Sequence, residues 1–334
     1  MRWFSPARLA VGGLFLLGAA AFVLWLTPAS GYDLQLVDPA HPAAPLVHVQ
    51  GEKRAKTTAG SIYFVDVRER QARLLERLLP FLRADGSSLV PAPPVSSSVE
   101  QQIGVQDMSD SQKIAAVVAL DHLGYKVQAR SGGVTIVLVQ RGAPAAKVLR
   151  TSDVIVSAEG RKVTSVLRLR AILAKHRPGE RVRIGFRRNG KLEETTVRTV
   201  ADPEDAKRAL IGVSAQDALR VKLPIRVRIN AAGVIGPSAG LAWALDLVQE
   251  LGRDIAHGRK VAATGALALD GTVGAIGGIK QKTLGAREAG VDVFLVPAGE
   301  NAREARRYAD GLRIIAVKNF PQALRALATV AAKS

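Results

Sequence analysis

The chain opens with its most apolar stretch. Leu9 to Leu26, LAVGGLFLLGAAAFVLWL, is uncharged, and helical rise would carry it across about 27 Å, close to the thickness of a bilayer core. The run predicts a transmembrane anchor within residues 1–31. Arg2 and Arg8 precede it and the next basic residue is Lys53, so the charge bias predicts a single pass with a cytoplasmic amino terminus and the remainder outside the cytoplasm. Trp3 and Trp25 stand where interfacial aromatics belong. A cleaved signal peptide, processed near Thr27–Gly31, is the alternative, although the apolar run exceeds the roughly 7–15 residues usual for one.

Beyond it the pattern changes several times. Ser61 to Val67 carries the β-favouring residues of a strand, and Gln71 to Leu79 has apolar residues at helical spacing. Residues 85–98, DGSSLVPAPPVSSS, have the composition of a linker, so 32–105 is taken as an amino-terminal region of its own. Residues 106–200 predict a small β-rich unit. A helix over Asp110–His122 leads to strands at 133–139 and 153–156, then a helix at 164–176 and a hairpin of 181–186 with 191–199 across Asn189-Gly190. Over 201–334 strands and helices alternate as in an α/β unit. The fold class expected for the whole is α+β behind the transmembrane helix.

Composition narrows the chemistry. At 334 residues the chain is too long for one average domain, and 48% hydrophobic against 23% charged residues excludes global disorder. The absence of cysteine excludes disulfides, thiolate metal sites and a cysteine nucleophile. A net charge of +18 favours anionic surfaces, but the expected placement outside the cytoplasm argues against nucleic acid. Gly185-x-x-x-x-Gly190-Lys191 nearly spells a phosphate loop; Leu192 replaces the Ser or Thr that would hold magnesium, and the context is a hairpin. The five histidines show no metal-ligand spacing. Neither a metal nor a cofactor is expected.

Two glycine-framed turns carry candidate chemistry. In Gly233-Val-Ile-Gly-Pro-Ser-Ala-Gly240, Ser238 meets the start of an apolar helix, where the positive end of the helix dipole stabilises a developing oxyanion. In Gly274-Ala-Ile-Gly-Gly-Ile-Lys-Gln-Lys282, Lys280 follows an apolar turn and opens another helix. Burial and a helix amino terminus both disfavour the ammonium, which is what a lysine base requires. Lys282 is expected on another face of the helix as a solvated charge. Each turn also has an ordinary reading: serine caps helices, and lysines at helix starts are usually exposed.

Residues 110–200 resemble a PDZ domain of bacterial envelope proteases. That resemblance assigns Leu123-Gly124-Tyr125 to the hydrophobic-Gly-hydrophobic loop that receives a peptide carboxylate, although Leu123-Gly124 also reads as a helix C-cap. Arg150-Thr151-Ser152-Asp153 departs from the pattern, which usually has glycine before the aspartate. Residues 205–330, with Gly-Pro-Ser-Ala-Gly, Thr264-Gly265 and Gly-Gly-Ile-Lys, are similar to the proteolytic domain of Lon peptidases. Together they resemble the membrane-anchored PDZ–Lon proteins of bacteria, which implies Ser238 as nucleophile, Lys280 as base and Thr264 as a supporting residue. Ile235 stands where many Lon enzymes carry an acidic residue, and Ala266 where some carry a glutamate. The resemblance implies a membrane-tethered, ATP-independent serine endopeptidase for unfolded or flexible segments, with protein or peptide substrates and a homo-oligomer as possible partner. A non-cleaving PDZ adaptor and a docking surface for anionic lipid or wall polymer are the alternatives.

Overall fold

The computed structural model describes residues 6–50, 60–92, 97–203, 205–231 and 233–330. Helix α1 (Pro6–Leu26) comes first. Among the described residues no helix is long and apolar enough to cross a membrane, which overturns the transmembrane helix. The expected export of the rest of the chain was inferred from that span and loses its basis.

Strands β1 (Pro28–Val37), β2 (His41–Pro42), β3 (Val47–Val49), β4 (Ser61–Phe64) and β5 (Val67–Arg73) follow, then α2 (Leu74–Leu78), β6 (Ser88–Pro91) and α3 (Ser97–His122). The helix expected from Gln71 shrinks to α2 because Val67–Arg73 pairs with β1, which also holds β6 in a sheet of order β5-β1-β6. Part of the expected linker is thus strand β6, and residues 93–96 of it lie outside the described residues.

The β-rich unit holds β7 (Gln128–Val139), β8 (Val154–Ala158), β9 (Arg161–Lys162), α4 (Val166–Leu173), β10 (Arg181–Arg188), β11 (Lys191–Arg198), β12 (Val200–Ala201), β13 (Ala209–Leu210) and β14 (Val213–Lys222). Asn189 and Gly190 both have positive φ, 50° and 81°, as the two-residue hairpin between β10 and β11 requires. The sheet order β11-β10-β8-β7-β14 carries this unit past residue 200. Val134, Ile136, Ile155, Ile184, Phe186 and Leu169 form its core, to which Ile211, Val213 and Ala215 are added from beyond the expected boundary.

The last unit contains β15 (Val227–Ile229), α5 (Gly240–Glu250), β16 (Lys260–Ala263), β17 (Ala266–Leu267), β18 (Val273–Gly274), α6 (Ile279–Glu288), β19 (Val293–Pro297), α7 (Glu300–Arg307), β20 (Arg313–Val317) and α8 (Phe320–Thr329). Its sheet, β2-β4-β16-β19-β20, takes two strands from the amino-terminal region, and β4 runs parallel to β16 with Phe64 opposite Ala263. The apolar faces of α3 and α5 share one core with this sheet, where Trp243 is fully buried with its ring 4.8 Å from that of Phe64. Residues 32–105 are therefore woven into the carboxy-terminal unit.

Gly285 of α6 is where the two meet. Its carbonyl accepts from the Ala40 amide, and an added Cβ would stand 1.9 Å from the Asp38 carbonyl oxygen. Gly285→Ala is expected to cost about 1–3 kcal/mol in urea unfolding, because backbone must move to admit the methyl group. An unchanged midpoint would show that residues 38–40 do not dock on α6.

Candidate functional site

Ser238 lies two residues ahead of α5, in a turn shaped by Gly233 and Gly236 at φ +88° and +85°. Its carbonyl is held twice from the end of β16: the Gly265 amide donates to it at 2.8 Å and the Thr264 hydroxyl at 3.1 Å. From the other side Ser111 of α3 donates its hydroxyl to the Pro237 carbonyl at 3.2 Å. Thr264, the expected supporting residue, thus holds the serine backbone. Ser111 had no signal in the sequence, since its role depends on α3 crossing the start of α5.

Lys282, not Lys280, reaches the serine. Its Nζ donates to Ser238 Oγ at 2.7 Å. Lys280 instead donates to the Ser87 carbonyl at 3.1 Å and lies over the Tyr308 ring. The expected pairing fails for a periodic reason. Helix α6 buries Ile279, Lys282, Thr283 and Ala286, the i, i+3, i+4, i+7 stripe of an amphipathic helix, and Lys280 falls off that stripe. An apolar spacing filled by one lysine was the signal available in the sequence.

The glycine-rich turn before α6 is fixed by Asn301 of α7, whose side chain accepts from the Ile276 amide and donates to its carbonyl, both at 2.9 Å. Gly278 caps α6 at φ +65°.

Burial sets the electrostatics. Lys282 is 4% exposed. Desolvation lowers its pKa from 10.5 to about 8, opposed by the carboxylates of Asp66 and Glu69. Asp66 is itself held above the usual carboxylate range by burial and by Asp38, with His41 and Lys282 acting the other way. Among the described residues, Asp38, His41 and Asp66 bring ligand-type atoms within 4.8 Å of one another. Arg68 pairs with Asp38, and Asp66 and Lys282 each act on the other's charge.

In the β-rich unit Leu123, Gly124 and Tyr125 close α3. Their amides donate to Ala119, Asp121 and Leu120 carbonyls, with Gly124 at φ +84°, and the side chains of Leu123 and Tyr125 pack on the carboxy-terminal core. Those amides are committed to a helix C-cap. A second hydrophobic-Gly-hydrophobic triplet, Ile211-Gly212-Val213, leads directly into β14 at the end of the sheet. Gly212 has φ +72°, and a Cβ there would meet that of Ala143 at 2.5 Å. The signal was a triplet followed at once by a strand.

Residues 122–199 match the PDZ domain and residues 206–329 match the Lon protease (S16) C-terminal proteolytic domain. The chain carries a PDZ domain and a Lon-type serine peptidase domain. Over 98 residues it is 42% identical to Lon protease 1 of Sorangium cellulosum (strain So ce56), which covers 29% of this chain and 12% of that protein. Lon protease 2 of Bacillus subtilis (strain 168) is 37% identical over 101 residues, 29% of this chain and 18% of that one. The chain thus spans less than a fifth of the length of these two relatives. The PDZ domain of the SdrC-like protein from Listeria monocytogenes is similar at 25% identity and a TM-score of 0.24, covering 25% of this chain and 86% of that one.

A buried lysine makes stability depend on pH. Between its folded pKa of about 8 and its unfolded value near 10.5 the unfolded chain carries a proton that the folded chain lacks. Lowering the pH through that window therefore weakens the fold, by about 3 kcal/mol in all. Lys282→Met is expected to raise the urea midpoint at pH 7–8 and to lose that advantage towards pH 10.5. A constant difference across this range would mean that the amine is not desolvated.

Proposed function

We propose that this chain is a serine endopeptidase with Ser238 as nucleophile and Lys282 as general base, acting without ATP on unfolded or flexible protein segments. The observation that carries the reading is the 2.7 Å hydrogen bond from Lys282 Nζ to Ser238 Oγ. A neutral amine with a lowered pKa takes the hydroxyl proton as Oγ attacks the peptide carbonyl carbon. The carbonyl π electrons move to oxygen beside the positive end of α5. The ammonium so formed returns its proton to the leaving amine, the C–N bond breaks, and water activated by the same lysine hydrolyses the acyl-enzyme. Lys280, bonded to the Ser87 carbonyl, has no part in this sequence.

The PDZ domain supports capture of an extended segment. An added strand at the outer edge of β14 would use main-chain hydrogen bonds for affinity, with the Ile211-Gly212-Val213 turn receiving its end. That strand is followed along the chain by β15 and the Ser238 turn, so the capturing edge and the nucleophile belong to one stretch of chain.

Casein digestion by the purified chain without nucleotide tests the reading. Ser238→Ala and Lys282→Met are each expected to lower the rate by about 10²–10⁴, whereas Lys280→Ala stays within a few-fold of wild type. The rate should climb as pH rises through about 8, where Lys282 loses its proton. Full activity in Lys282→Met, with loss in Lys280→Ala, would reverse the assignment of the base. Peptide binding with no cleavage by wild type would leave an adaptor.

A further inference from the structure

Lys282 must accept a proton inside a dry site, and an ammonium there is costly unless an anion faces it. The serine turn offers none. Both carboxylates that act on Lys282, Asp66 and Glu69, come from the amino-terminal region, outside the residues 206–329 that match the proteolytic domain.

Geometry brings them there. Asp66 stands two residues past the end of β4, and β4 lies parallel to β16 with Phe64 opposite Ala263. The residues that follow each strand therefore emerge at the same end of the sheet. On β16 these are Thr264 and Gly265, which hold the Ser238 carbonyl; on β4 they are Val65 and Asp66. Val67 then packs on the cap of α6, where a Cβ on Gly278 would meet its Cγ2 at 2.7 Å. Asp38 meets the same helix about two turns further on, at Gly285.

The carboxylate of Asp66 is also poorly partnered. Its Oδ1 is buried with no hydrogen-bond partner among the described residues, and His41 Nε2, 3.9 Å away, is beyond hydrogen-bond reach. Arg68 and His41 instead engage Asp38. A buried acceptor left open has room for a further donor, and a catalytic role is one reason a fold keeps such a group.

We propose that Asp66 is a positioning residue for the peptidase step: its carboxylate faces Lys282 across the top of the sheet and stabilises the ammonium formed when Ser238 gives up its proton. The inference rests on the Ser238–Lys282 reading above. Glu69, exposed on β5 and engaged by Gln35 at 2.7 Å, adds a weaker field of the same sign. The charged and titratable groups facing this corner are Asp66, Glu69, Asp38, His41 and Arg68 from the amino-terminal region and Lys282 from α6.

The sign follows from charge. Removing an anion that favours the ammonium moves the deprotonation of Lys282 to lower pH and weakens the product of proton transfer. The test is the rate of labelling of Ser238 by a fluorophosphonate, followed by mass spectrometry from pH 5.5 to 10 on the full chain. Wild type should show an acid limb near pH 8. Asp66→Asn is expected to move that limb down by about half a pH unit or more and to lower casein turnover about 10-fold, with Asp66→Glu restoring most of both. Glu69→Gln should shift the limb in the same direction by less. Where Asp66→Asn melts below the assay temperature, Asp66→Ser replaces it. An acid limb unmoved in the Asp66 variants overturns the proposal while leaving the dyad intact. Wild-type labelling with no acid limb, or none at Ser238, removes the dyad and this inference with it.

Discussion

One hydrogen bond between an amine and a hydroxyl governs how the rest of this chain has to be built. Lys282 Nζ lies 2.7 Å from Ser238 Oγ, and the contact is chemically useful only while the amine can lose its proton near neutral pH. Water must be kept away from it, yet a buried ammonium must be tolerable for the moment it exists. Lys282 is buried on the same helix face as Ile279, Thr283 and Ala286. The price is a fold weakened by proton binding, which the large apolar core around Trp243 and α5 offsets.

Precision then comes from backbone clamps rather than from the reacting side chains. The serine turn is held through its carbonyls by Thr264, Gly265 and Ser111, and the lysine turn by the paired hydrogen bonds of Asn301. Each clamp is drawn from a different element, β16, α3 and α7, so the distance between Ser238 and Lys282 reports on the packing of the whole carboxy-terminal unit.

This dependence explains what could be read from the sequence. The two glycine-framed turns and the Asn189-Gly190 hairpin are local, written in consecutive residues, and they form. The choice between Lys280 and Lys282 is also local, but it is decided by which face α6 buries. Reading the turn alone favoured the lysine nearest the glycines; reading Ile279, Thr283 and Ala286 as one stripe favours Lys282. The position of Asp66 was not legible at all. It depends on β4 entering a sheet beside β16, almost 200 residues later in the chain, and no periodicity within residues 61–67 announces that pairing. The membrane span was read from an apolar run, its flanking charges and its aromatics, all within the first 26 residues, and among the described residues no helix is long and apolar enough to cross a membrane.

A different set of long-range contacts joins the β-rich unit to the lysine turn. Helix α4 walls one side of the β-rich core, and its first amide donates to Asp217 of β14 at 2.6 Å. One residue further along, Leu167 packs so closely on Gly274 that a Cβ there would meet its Cδ2 at 2.4 Å. Gly274 opens the turn that carries Lys282. Burial holds Asp217 at a pKa of about 6, and α3 brings Asp107, likewise raised to about 6, into the same cluster with Arg170 of α4. Strand, helix and lysine turn are therefore in van der Waals and hydrogen-bond contact in series. A strand added to β14 would act on a wall that already touches the turn leading into α6, and glycine at 274 is what lets the two surfaces approach that closely.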